Sequence, residues 1–216
     1  RRPPRRRSPP HRSPRATDDL LTGPLNRGGI RALAGFGPAA RRAEQRLREC
    51  AATGQRIDAA LAAVAIWRLC GDDAAARVVL DRFRDDEYGR LDLTSLIAEV
   101  GAPLADFAPY LRALLSGDDP GPRLDAARAL WHATGDVAAT MPVLEHGWRT
   151  IAPSRRAVAT VWARMGPAAV TVRPLLVAEL RRGRRHTSEP HARSATAVRD
   201  DEELLTLCRA ALAATR

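Results

Sequence analysis

Apolar residues recur along most of this chain at three- and four-residue intervals, the spacing that lines one face of an α-helix. The pattern starts near Leu25 and runs to about residue 182. Glycines interrupt it at Gly37, Gly71, Gly101, Gly135 and Gly166, spaced 34, 30, 34 and 31 residues apart. Each is followed nine or ten residues later by a leucine inside an apolar stretch: Leu47, Leu80, Leu111, Leu144 and Leu176, spaced 33, 31, 33 and 32. Two independent markers holding register through five units identify an internal repeat. Each unit is predicted to be a helix A, a glycine stop, a tight turn and a helix B. The five pairs fall at about 25–53, 57–86, 91–117, 121–149 and 153–182.

The marker residues have physical reasons to be where they are. A helix ends most easily on a residue that tolerates the left-handed conformation, and glycine does so without a Cβ clash. Asp72 and Asp136 follow two of the glycines directly, where a carboxylate can accept from the unpaired N–H groups that open the next helix. Pro109, Pro142 and Pro174 each precede the marker leucine by two residues. Three prolines at one offset predict a position near the start of helix B, where the N–H has no partner anyway.

The units also alternate. Odd units carry Gly37-Pro38, Gly101-Ala102-Pro103 and Gly166-Pro167; even units carry a tryptophan before Gly-Asp, at Trp67 and Trp131. Trp67 to Trp131 is 64 residues, as is Gly37 to Gly101, so two units make one superperiod. Equivalent apolar positions in a repeat usually form the inter-helix core, which places Trp67 and Trp131 there. Trp148 lies four residues after its marker leucine and is expected to face inward.

The flanks differ in texture. Residues 1–20 read as a disordered Arg/Pro-rich arm, since Arg, Pro and Ser without apolar anchors cannot offset the entropy of ordering. Residues 21–182 form the repeat array, and 183–199 are polar and turn-rich, a loop. Residues 200–216 read as a C-terminal capping helix opened by Asp200, Asp201, Glu202 and Glu203, with Leu204, Leu205, Leu207, Cys208 and Leu212 on its apolar face. The first pair, with Gly28, Gly29 and Gly35 and no tryptophan, reads as the frayed end of an array that could extend further, and the chain opens on Arg1 rather than Met. The fold class is therefore all-α: an α-solenoid of about five stacked helix pairs with a capping helix.

Composition narrows the function classes. All basic residues are arginine, as expected of coding bias, so arginine number alone argues little for nucleic acid. The formal charge is +10, and residues 1–15 hold seven arginines and no acid, leaving +3 for the rest. Nucleic-acid contact, if made, is expected through residues 1–15. Cys50, Cys70 and Cys208 are odd in number and lack CxxC spacing, which suits reduced thiols in a cytoplasmic setting. The longest apolar stretch, Ala59 to Trp67, is far short of the ~20 residues a membrane span needs, and no signal-peptide core precedes it.

The stretches AIWRLCGDDAAARVVLDRF, ALWHATGDVAATMPVLEHG and ARMGPAAVTVRPLLVAEL resemble HEAT-like repeats of the short type found in phycobilin lyase subunits. The likeness covers about residues 25–182. It implies a curved superhelix whose helix B face is the binding surface. It is specific for architecture and not for activity, because such repeats occur in scaffolds, regulators, bilin lyases and DNA-repair glycosylases.

No catalytic or cofactor-binding constellation is expected. There is no Ser/His/Asp order, Gly-rich phosphate loop or H-E-x-x-H. His186, Glu189 and His191 could supply metal donors, but their loop-like surroundings impose no geometry, and solvated loop residues are the plainer reading. The residues directly after the marker leucines, Arg48, Asp81, Arg112, Glu145 and Val177, alternate in sign and are expected to form a self-neutralising ladder between repeats. A phosphate groove needs a same-sign stripe instead. The sequence therefore favours a non-enzymatic scaffold for an unknown protein partner, with Arg77, Arg112, His146, Arg173, Arg181 and Arg182 as partner-binding candidates. The alternatives are a nucleic-acid-associated protein using the arm, or a HEAT-repeat glycosylase or bilin lyase-like enzyme.

Overall fold

A computed structural model describes residues 25–86, 90–182 and 195–216. Helices and short 3-10 segments make up the regular structure of these residues, with no strand among them. The chain divides into two compact units, up to Leu96 and from Ile97 onward.

In the first unit, α1 spans Arg27–Phe36 and runs into a 3-10 segment, Gly37–Ala43, before α2 (Glu44–Thr53). Then come α3 (Arg56–Cys70), α4 (Ala74–Phe83) and the start of α5 (Arg90–Val100). Helix α3 is the centre, packed against α1, α2, α4 and the 3-10 segment. Its sequence explains why: Ala59, Ala60, Ala62, Ala63 and Ala65 are all buried, and small side chains let neighbouring backbones approach closely from several sides. Ile66 and Leu69 carry the bulk, each contributing ~1.5–3 kcal/mol by burial.

In the second unit, a 3-10 segment (Ala102–Phe107) leads into α6 (Ala108–Leu115), followed by α7 (Pro120–Thr134) and α8 (Val137–Thr150). A short 3-10 turn, Ala152–Ser154, opens α9 (Arg155–Met165). A third long 3-10 segment (Gly166–Val172) precedes α10 (Arg173–Leu180), and α11 covers Ala195–Ala214. Helix α7 packs against α6 and α8, and α11 lies against α9 and α10. The core centres on Trp162 and Trp148, whose rings are 4.9 Å apart, with Leu124, Leu144, Val158, Met165 and Leu176 around them. Gly147 permits this approach, because a Cβ there would stand 2.6 Å from Leu124 Cδ1.

The 64-residue superperiod is present in the backbone: α3 and α7 are each 15 residues long and start 64 residues apart, at Arg56 and Pro120. All five marker leucines are fully buried. The alternation of Gly-Asp and Gly-Pro corresponds to two different chain turns. Gly71 and Gly135 are left-handed, at φ 72°, ψ 18° and φ 71°, ψ 13°, and each donates its N–H to the tryptophan carbonyl four residues back at 2.8 Å. Gly101 and Gly166 sit at φ 76°, ψ −132° and φ 61°, ψ −134°, and each leads into a 3-10 segment. The residue before proline is pushed out of helical ψ, which explains the extended ψ of Gly166 ahead of Pro167. After Gly135 the next helix starts at once: Asp136 caps α8 by accepting from the Ala139 N–H at 3.0 Å. Asp72 accepts from Ala74 N–H at 2.9 Å.

Several expectations need correction. Pro109 and Pro174 occupy the second position of α6 and α10, but Pro142 lies inside α8. The cause is the Asp136 cap, which starts α8 early, whereas odd units spend those residues on the 3-10 segment. Gly37 opens such a segment directly from the end of α1. Trp67 and Trp131 are half-buried rather than core; Trp148 does face inward, and Trp162 is the fully buried tryptophan. The capping helix begins at Ala195, five residues earlier than its acids suggested, so those acids fall in its second and third turns. Its buried face is Leu204, Leu205, Cys208 and Ala211, with Leu207 and Leu212 half-buried beside it.

Candidate interaction surface

The arginines singled out from the sequence are placed one by one, and most are occupied. Arg77, in the first unit, pairs with Asp73 one helical turn back at 2.8 Å. In the second unit, Arg112 reaches Asp136 at 3.2 Å. Arg173 is half-buried; its guanidinium donates to the Leu212 carbonyl at 2.9 Å and to the Thr215 carbonyl and hydroxyl at 3.3 and 3.2 Å. It thus satisfies the open carbonyls at the end of α11. His146 is exposed on α8, and Arg181 and Arg182 are exposed at the end of α10, Arg182 bonding Glu179 at 3.3 Å. Residues 1–15 and His186, Glu189 and His191 lie outside the described residues.

The sign-alternating ladder does not form as drawn. Arg48 bonds Glu44 at 2.8 Å and Asp72 at 2.7 Å, Asp81 approaches Arg84 at 3.7 Å, and Glu145 pairs with Arg149 at 3.2 Å. Two bonds between successive helix pairs, Arg48 to Asp72 and Arg112 to Asp136, are the same bond 64 residues apart. In each, an arginine of one B helix reaches the Gly-Asp turn that precedes the next B helix. Glu44 first and Asp72 second hold the Arg48 guanidinium above its usual range. Asp72 and Asp136 are held below the usual carboxylate range, chiefly by the backbone N–H groups of Ala74 and Ala139, then by Arg48 and Arg112.

Among the exposed positions on the B helices is an equivalent set defined by the marker leucines. The positions two before and two after each leucine are exposed in every unit. In the first unit they are Gln45 and Glu49, then Val78 and Arg82. In the second unit they are Pro109 and Ala113, Pro142 and His146, and Pro174 and Ala178. That second set carries no formal charge apart from the titratable His146.

A polar seam lies elsewhere, on α7. Asp125 and Arg128 bond at 3.0 Å, and His132 stands one turn further on with its ring edge-on to Trp131, centroids 4.7 Å apart. Burial pushes the Asp125 carboxyl up. Burial, then Arg164 and Arg128, pushes the His132 imidazole down. Among the described residues no group of three or more His, Cys, Asp or Glu could hold a metal ion. None of their helices is long and apolar enough to cross a membrane.

Sequence reasoning missed Arg155. It is only 14% exposed, donates to the Trp148 carbonyl at 2.9 Å and to Glu179 at 3.3 Å, and lies over the Trp148 ring at 5.7 Å. It ties the end of α8 to the end of α10. The one sequence signal was its place directly after a Pro-Ser turn between two apolar helices.

No protein-family model matches the chain, and no curated protein or solved structure shows significant similarity to it.

Proposed function

We propose that this chain is a non-enzymatic protein-binding scaffold, a HEAT-like α-solenoid acting in the cytoplasm, whose B-helix face receives a protein partner. The observation that carries the reading is the exposure of six equivalent B-helix positions of the second unit that carry no formal charge, Pro109, Ala113, Pro142, His146, Pro174 and Ala178. Two arginines that flank these positions are turned to internal work: Arg112 on Asp136 and Arg173 on the end of α11. A nucleic-acid groove would need those cations free and aligned. Rigid prolines and small alanines instead offer contact area with little side-chain entropy to lose on binding. The repeat reading has its own support within each unit, where helices pack on elements close to them in the chain, as stacked repeats do.

The test is affinity capture with the full chain at ~50 and ~200 mM salt, wild type against a Pro109→Glu, Ala113→Glu variant. Both substitutions are at exposed positions of α6, and Glu at its second position suits the helix dipole. The reading expects a defined protein retained at the higher salt by wild type and lost by the variant. Nucleic acid recovered equally by both, and only at the lower salt, would refute it.

A further inference from the structure

One edge of the second unit has more positive charge than its internal pairing uses. Arg149 lies in the last turn of α8, and Arg181 and Arg182 follow the last turn of α10. Arg155 brings these two helix ends together through the Trp148 carbonyl and the Glu179 carboxylate. Cations at helix C-termini are favourable on dipole grounds, so their presence alone would say little. The pairing is what singles this edge out. A single oxygen of Glu179 accepts from both Arg155 and Arg182, each at 3.3 Å, long for a charge-assisted bond. Glu179 is buried, whereas Arg182 is 51% exposed, so one carboxylate serves two guanidiniums and the outer one points toward solvent with most of its donors free for a second acceptor. Arg149 is 58% exposed with only Glu145 beside it, and Arg181 is exposed. Among the described residues, four guanidiniums here share two carboxylates, Glu145 and Glu179, a local excess of two positive charges.

We propose that this edge, Arg149, Arg155, Arg181 and Arg182 with Glu179 beneath, docks an acidic peptide segment of the protein partner. The proposal rests on the scaffold reading and gives the partner its chemistry: carboxylates that replace Glu179 on Arg182 and meet Arg149 and Arg181. Planar guanidinium forks suit carboxylates in pairs, and fixing two of them beside one buried acid sets a spacing that a loose basic tail cannot.

The experiment uses the full chain and a fluorescein-labelled hexaglutamate peptide, followed by anisotropy. The edge variant combines Arg149→Ser, Arg181→Ser and Arg182→Ser. A control variant combines Arg41→Ser, Arg42→Ser and Arg209→Ser, which removes as many exposed charges elsewhere and leaves residues 1–15 the same in every sample. Far-UV circular dichroism confirms that all three proteins are folded. The expected result is at least about a tenfold loss of peptide affinity in the edge variant and less than about twofold in the control. Equal losses in the two variants would overturn the proposal. So would a single-stranded oligonucleotide or phosphatidylserine vesicles that lose more affinity than the peptide does on the same substitutions. The α6 variant is not part of this measurement, so a failure here leaves the B-face reading standing, and a failure of capture leaves this edge standing.

Discussion

The two kinds of glycine turn make a quantitative prediction about substitution by alanine. Gly135, Gly166 and Gly101 all belong to the second unit, so their effects share one unfolding reference. At Gly135 a Cβ meets nothing within 4 Å, and the only penalty is the left-handed conformation, ~1–2 kcal/mol for an L-residue. Reduced freedom of the unfolded chain returns ~0.4–1 kcal/mol, for a net cost of about 1 kcal/mol. Gly166 and Gly101 combine positive φ with extended ψ, a region that is essentially glycine-only and whose strain reaches ~3 kcal/mol. At Gly166 the new Cβ would lie 3.6 Å from the Ala214 carbonyl, an ordinary contact, so strain alone sets the cost at about 2 kcal/mol. At Gly101 it would lie 3.2 Å from the His132 carbonyl, a backbone atom that cannot swing away, and the cost rises to about 3 kcal/mol. Urea unfolding with unchanged slope m measures the three. Asparagine separates the classes further: Gly135→Asn should fall close to wild type, since asparagine visits the left-handed region, while Gly101→Asn should be as damaging as alanine. Equal costs at Gly135 and Gly101, or an asparagine rescue at both, would refute the distinction.

Three further outcomes follow from the same structure. Trp162→Ala should cost ~3–5 kcal/mol and Trp131→Ala clearly less, because only the former ring is fully buried; equal shifts of the urea midpoint would contradict this. Arg173→Ala should leave the α11 carbonyls at Leu212 and Thr215 without their donor, cost about 1 kcal/mol, and speed hydrogen exchange in the last turns of α11 before other regions change. His132 is held neutral by burial and by Arg164 and Arg128, so its folded pKa lies below its unfolded one. Its contribution to stability is therefore complete above the unfolded value, ~6.5, and is lost as pH falls through the folded value; His132→Gln should flatten stability between pH ~7.5 and ~5.5.

The helices were legible because glycine stops and marker leucines are local signals with strong physical causes, and the helix pairs fall within a few residues of their predicted ranges. What escaped were features set by the length of each B helix. Pro142 shares its offset with Pro109 and Pro174, yet Asp136 starts α8 early enough to put it in the interior, and nothing at the proline itself announces this. The tryptophans were misplaced for a related reason. In α3 and α7 the central contacts are made by alanines, and a large ring four residues before the stop is left at the margin. The charge pairs were misjudged because only neighbouring B helices were matched, although Arg48 and Asp72, and Arg112 and Asp136, share a separation of 24 that could have been read from the superperiod. Arg155 was overlooked for want of a periodic partner. The surface that carries the functional reading was visible in part, through the prolines and His146, while the internal pairing of Arg112 and Arg173 beside it depends on where those side chains turn.

The most direct test of the scaffold account is site-specific photo-crosslinking in cells of the producing organism. A benzophenone side chain would be placed in the full chain at Ala113, His146 or Ala178 on the B helices, and at Arg68 or Arg164 on exposed A-helix positions. The account predicts a discrete protein adduct from the B-helix positions and little or none from the A-helix ones. Adducts to nucleic acid, or protein adducts of equal yield from both sets, would contradict it.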